Sequence, residues 1–162
     1  MPVAPLFDLP NYASMLEGLV GVTTKVVSGP APAPGEHAGM AAWYVDEAGD
    51  VQAAVWWDLP LAAYAGAALS MVPADIAEGC VAAGELSESL RENAHEVMNV
   101  TASVLTPNAT RHLKLASTAA TPEPPEAVAP LLGRALARTF LSVELEGFGT
   151  GKALVVVDRE HA

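Results

Sequence analysis

The sequence predicts an α+β domain in which a mostly antiparallel sheet packs against long helices. Three observations carry this expectation. Two pairs of β-rich runs are joined by short turn-forming segments: AGMAAWYV (38–45) and VQAAVWW (51–57) flank DEAGD, and TFLSVEL (139–145) and KALVVVD (152–158) flank EGFGTG. Strand, turn and strand at that spacing form hairpins, whose strands are antiparallel. Residues 86–105 repeat apolar side chains at helical spacing over five turns. Finally, helices and hairpins follow one another without the strict strand–helix–strand alternation of a parallel sheet.

The elements follow in order. Asp8 is placed to cap a first helix with Pro10 in its first turn. Tyr12, Met15, Leu16, Leu19 and Val20 mark one face of that helix, and Gly21 closes it. VTTKVVS (22–28) is β-rich and reads as a strand, and GPAPAPGEH (29–37) as a Pro/Gly loop. After the first hairpin, Asp58 caps a second helix carrying Pro60 in its first turn, and Pro73 is expected to end it. A short helical piece is expected over 74–82, broken by Gly84. The long third helix is expected from Leu86 to Leu105, before Pro107. RHLKLASTA (111–119) alternates enough for a strand. The Pro-rich TPEPPEAVAP precedes a short helix, and the second hairpin ends the chain. One of the adjacent Trp56 and Trp57 is expected in the core, the other facing outward or toward a second subunit.

Composition narrows the function classes. The 162 residues suit a single domain spanning 1–162, and 51% of them are hydrophobic, enough for a sizeable core. With 19 acidic and 8 basic residues the formal net charge is −11. Phosphate-backbone binding needs clustered Lys and Arg, so neither nucleic acid nor an anionic membrane surface is an expected partner. Cys80 stands alone, which precludes an intrachain disulfide and fits a reducing compartment. MPVAPLFDLP has no basic n-region or long apolar run, so no signal peptide is expected. No uncharged apolar stretch reaches the ~18 residues of a membrane span. A cytoplasmic location is expected.

The third helix, RENAHEVMNVTASVL over 91–105, carries the chemistry. Set at 100° per residue, Leu86, Leu90, Ala94, Val97, Met98, Thr101 and Leu105 fall within an arc of about 120° facing the core. Glu92, Glu96, Asn99 and Ser103 cluster on the far side, within about 60° of one another. Glu96 and Asn99 are one turn apart and point the same way. A plain solvated face explains the glutamates, but it explains Asn99 worst, because Asn has mediocre helix propensity. A carboxamide both donates and accepts, and can hold a water molecule at a chosen angle without titrating. A carboxylate beside it can pair with a partner's cation. Such a pair suits hydrolysis of a phosphoryl group, where catalysis is mainly positioning and electrostatics.

E-x-x-N on a long helix, Glu96-Val97-Met98-Asn99 followed by VTASVL, resembles the signature helix of the CheC/CheX/FliY family of chemotaxis phosphatases. The order of elements is similar too: an N-terminal helix, strands and a hairpin, an Ala-rich helix after WWD, the signature helix and closing strands. The resemblance implies a phosphatase acting on the phosphoaspartate of a CheY-like response-regulator receiver domain. By motif, Glu96 would pair with the receiver's active-site lysine and Asn99 would orient the attacking water. Glu92, His95 and Ser103 would flank the partner site. The Mg2+ ion would belong to the receiver, so no cofactor and no metal is expected in this chain. The first helix offers Glu17-Gly18-Leu19-Val20 with no Asn at the matching place, so one site and the CheX-like form are expected, with a homodimer associating through its sheets. Family members commonly carry Gly where this chain has Ser103. A non-catalytic receiver-binding or signalling-complex adaptor of the same fold is the alternative.

Other constellations carry less. His95-Glu96-x-x-Asn99 has the outline of H-E-x-x-H but lacks the second His, and Asn is a poor zinc ligand. His37, His112 and His161 are scattered. Ser87, Ser89 and Ser103 have no evident His/Asp partners for nucleophilic catalysis. EGFGTGK ends in Lys but lacks the spacing of a phosphate-binding loop, and a hairpin turn accounts for it.

Overall fold

The computed structural model describes residues 9–29, 39–105, 113–121 and 136–158. Along the chain these form α1 (Leu9–Val20), β1 (Thr24–Ser28), β2 (Gly39–Val45), β3 (Val51–Asp58), α2 (Leu59–Leu69), α3 (Ala74–Ala83), α4 (Glu88–Leu105), β4 (Lys114–Thr121), β5 (Leu136–Leu145) and β6 (Gly149–Asp158). The strands make one six-stranded sheet in the order β1-β5-β6-β3-β2-β4. Every neighbouring pair in it is antiparallel. This is the α+β architecture expected from the hairpins.

Side chains alternate across the sheet, as the pleat requires. Met40, Ala42 and Tyr44 of β2, Ala53, Val55 and Trp57 of β3, Leu141, Val143 and Leu145 of β5, and Ala153, Val155 and Val157 of β6 join Tyr12, Leu16, Ala62, Ala65, Val97, Met98 and Leu105 in one buried core. On the opposite face Ala54 and Val156 lie among the half-buried Trp43, Val51 and Leu154. The tryptophan pair divides as expected: Trp57 is fully buried and Trp56 half-buried. Removing an indole of roughly 200 Å² from water contributes about 5 kcal/mol before entropy is counted.

Helix ends follow local chemistry. The Asp58 carboxylate accepts the Leu61 backbone N–H at 2.9 Å and caps α2. A cap of this kind contributes about 1 kcal/mol. Gly84, at φ 76, closes α3 in the left-handed conformation. The sequence places the end of α2 at Pro73, but the helix stops at Leu69: Met71 turns to φ 58, and Pro73 becomes the residue before α3. β5 and β6 run longer than the TFLSVEL and KALVVVD runs, because pairing continues out to Leu136 opposite Asp158. Asp8, the Pro/Gly loop after Gly29, and the Pro-rich segment with the helix after it lie outside the described residues.

Beneath α4 the core holds a chain of polar groups. The Tyr44 hydroxyl donates to the Met98 carbonyl at 2.6 Å, and the Trp57 indole N–H donates to the Tyr12 hydroxyl at 3.1 Å. Tyr12 also bonds Thr101, whose hydroxyl donates to the Val97 carbonyl at 2.9 Å. Burial pushes the Tyr12 phenol up to about 12, against the smaller opposing pull of its bonds to Trp57 and Thr101. Burial also pushes the Tyr44 phenol well above its ordinary range, with Tyr12 adding to the effect.

An unfolded chain ionises its tyrosines near pH 10, whereas the folded chain keeps these two protonated. Their contribution to stability is therefore complete below about pH 10 and is lost as pH climbs toward about 12, at about 1.4 kcal/mol per pH unit for Tyr12 alone. Urea unfolding measured between pH 9 and 11 is expected to show a flat free energy followed by this decline, and Tyr44→Phe is expected to make the decline shallower. A wild-type free energy independent of pH over that window would contradict the buried network.

Candidate functional site

α4 is amphipathic in the way its sequence demands. Leu90, Ala94, Val97, Met98, Thr101, Val104 and Leu105 are buried beneath it. Leu86, assigned to that arc from the sequence, lies before the helix and is half-buried, while Val104 joins the core. Glu92, His95, Glu96, Asn99 and Ser103 are all exposed. At 100° per residue Glu92, Glu96, Asn99 and Ser103 occupy a band about 60° wide, with His95 on one border and Asn93 farther around on the other.

Both flanks of this ridge are tied to neighbouring elements. On one side His95 Nδ1 lies 2.9 Å from the Thr118 hydroxyl of the edge strand β4, which leaves Nε2 as the ring nitrogen not engaged by Thr118. On the other side the half-buried Asn93 donates to the Gly66 carbonyl at 2.9 Å and to the Ser70 hydroxyl at 2.8 Å, joining α4 to the end of α2. The Ser103 hydroxyl turns back to donate to the Val100 carbonyl at 2.9 Å. The ridge thus presents Glu92, Glu96 and Asn99 outward between β4 and the α2–α3 corner.

Asn93 is the residue that sequence reasoning missed. It lies one turn before Glu96 and shares Asn99's poor helix propensity, but it serves packing between helices. A second polar residue at the margin of the apolar arc was the available signal. The α2–α4 contact is equally specific. A Cβ placed on Gly66 would sit 2.5 Å from the Leu90 carbonyl oxygen and 3.3 Å from its Cα. Only a glycine permits that approach.

Charge along the ridge has one sign. Glu88, Glu92 and Glu96 succeed one another at intervals of four and all are exposed. Like charges at that spacing destabilise a helix by about 0.2–0.5 kcal/mol per pair. The arrangement costs the isolated helix stability and favours a cation brought by another molecule. The glutamate of the first helix is placed differently: the Glu17 carboxylate accepts the Thr24 backbone N–H at 3.1 Å and locks α1 to β1. Among the described residues no three of His, Cys, Asp and Glu come together as a metal-binding group. Nor is any helix among them long and apolar enough to cross a membrane.

No protein-family model and no curated protein matches the sequence. Solved structures do match its fold. FliY from Thermotoga maritima superposes with a TM-score of 0.64 at 14% identity, covering 99% of this chain and 94% of that one. A chain of the FliM–SpeE complex from H. pylori gives a TM-score of 0.69 at 8% identity, covering 94% and 83%. A chain of the CheX–CheY–BeF3–Mg2+ complex from Borrelia burgdorferi gives 0.51 at 9% identity, covering 94% and 99%. The six-stranded antiparallel sheet with α4 laid against it is a CheC/CheX/FliY-type fold.

The Gly66 contact yields a measurable expectation. Gly66→Ala gains about 1 kcal/mol of helix propensity but forces the α2 and α4 backbones apart, at about 2–3 kcal/mol. A net loss of about 1–2 kcal/mol is expected, read as a Tm lower by a few degrees. An unchanged or higher Tm would show that the two helices are not held at this separation.

Proposed function

We propose that this protein is a phosphatase for the phosphoaspartate of a CheY-like receiver domain. The exposed, co-directed pair of Glu96 and Asn99 carries the reading. The Glu96 carboxylate pairs with the receiver's active-site lysine and sets the register of the two proteins. The Asn99 carboxamide accepts a hydrogen bond from a water and directs that water's lone pair toward phosphorus. Attack by the water oxygen breaks the bond between phosphorus and the aspartyl carboxylate oxygen, releasing inorganic phosphate and a free carboxylate. The Mg2+ ion that offsets charge on the phosphoryl oxygens is held by the receiver. The likeness to a chain of a CheX–CheY–BeF3–Mg2+ complex supports this choice of partner.

A non-catalytic adaptor is the second reading. The fold likeness to a chain of the FliM–SpeE complex favours it, because FliM there is found in a protein assembly. A homodimer formed through the sheet belongs to the first reading. It is supported by the apolar face away from the helices, where Trp43, Val51 and Leu154 surround Ala54 and Val156.

Two measurements test these statements. Phosphate release from a phosphorylated CheY-like receiver is expected to accelerate with wild-type protein and to fall about 100-fold with Asn99→Ala, as loss of a positioned reactant implies, while binding of the receiver persists. Binding without acceleration by either protein would establish the adaptor instead. By light scattering, the chain is expected at about twice its 16.7 kDa mass, returning to one copy in Trp56→Lys. A wild-type monomer at micromolar concentration would rule out the sheet-to-sheet dimer.

A further inference from the structure

The end of α2 breaks a local rule. Val72 donates its backbone N–H to the Ala67 carbonyl at 2.8 Å and Met71 donates to Ala68 at 3.2 Å. This pair of bonds closes a helix through a residue in the left-handed conformation, a position that strongly favours glycine. α1 ends on Gly21 and α3 on Gly84, both at φ 76. α2 ends on Met71 at φ 58, the one non-glycine residue with positive φ among those described. A side chain there costs roughly 1–2 kcal/mol of conformational strain.

Met71 gains nothing in return from its own fold. It is 90% exposed, the most exposed large apolar side chain among the described residues. Pro73 and Ile76, just beyond it, are exposed as well. A lone exposed apolar residue is ordinary. A strained one, kept where glycine would relieve the strain, is the kind of local conflict found at functional positions.

Its location supplies the function. Met71 follows Ser70, and Ser70 is hydrogen-bonded to Asn93 of α4. Asn93 lies three residues before Glu96, beyond the Glu96 border of the acidic ridge. A protein that brings a cation to Glu96 and spreads toward α2 meets Met71 next.

We propose that Met71 is an apolar anchor for the same receiver-type partner, seated in a shallow apolar depression on that partner while Glu96 and Asn99 address its phosphoryl group. This rests on the receiver reading above. The left-handed turn projects the thioether away from the body of the protein, and the flexible methionine chain adapts to the surface it meets. Glu96 and Asn99 select the phosphoryl site, and Met71 lengthens the time the partner stays.

The experiment uses a beryllofluoride-loaded CheY-like receiver with Mg2+, titrated calorimetrically against the full chain. Met71→Gly is expected to raise Tm by about 2–4 °C as the strain is relieved. The same change is expected to weaken receiver binding about tenfold, with phosphate release retained at saturating receiver. Met71→Leu is expected to bind within about twofold of wild type. Wild-type affinity in Met71→Gly, with normal phosphate release, overturns the anchor and leaves the receiver reading intact. A lower Tm in Met71→Gly overturns the strain argument. Failure of wild-type protein to bind any receiver overturns both.

Discussion

The rotation of α4 about its own axis is the constraint on which the exposed chemistry depends. It is set from inside. The Tyr44 hydroxyl, reaching across from β2, fixes the Met98 carbonyl, and Tyr12 links Thr101 to the Trp57 indole. Met98 is adjacent in sequence to Asn99, and Thr101 lies two residues from it. Rotating the helix by a single residue, about 100°, would carry Glu96 toward the place of Val97 and bury a carboxylate. A charge buried without a partner costs several kcal/mol. The polar anchors below α4 therefore determine which amides and carboxylates stand above it, through interactions that touch none of them.

Around that helix the chain accepts local penalties. Three glutamates repeat along one ridge, an asparagine occupies mid-helix, and a methionine takes a glycine conformation. Each is unfavourable for an isolated segment, and all three lie on or beside one surface. Elsewhere local preference and fold agree. Asp58 caps α2, Gly21 and Gly84 end their helices, and alternating apolar residues meet the core. Contrast between a conventional interior and one unconventional surface is what a protein shaped for contact with another molecule displays.

Much of this was legible in the sequence, for reasons that particular residues make plain. Hairpins were readable because DEAGD and EGFGTG interrupt runs whose alternation survives in the fold. The phase of α4 was readable because Leu90, Ala94, Val97, Thr101 and Leu105 leave a single apolar side. The acid–amide pair stood out because a plain solvated face explains Asn99 worst, Asn being a mediocre helix former. Strand order was not legible, since β1 pairs with β5 and β2 with β4 across long stretches of chain, and no local signal encodes such pairing. The end of α2 was misplaced because Pro73 is a conspicuous breaker, whereas the actual stop depends on Met71 adopting a conformation its chemistry disfavours. Asn93 escaped notice because its role requires knowing that Gly66 and Ser70 lie opposite.

The distribution of indoles has a practical corollary. Trp57 lies behind α4 in contact with Tyr12, while Trp43 and Trp56 occupy the reverse side of the sheet. Emission from the first reports the environment under α4, and emission from the other two reports events on the far surface. Single-tryptophan versions of the chain would therefore resolve, optically and without added labels, whether engagement of one face is felt at the other.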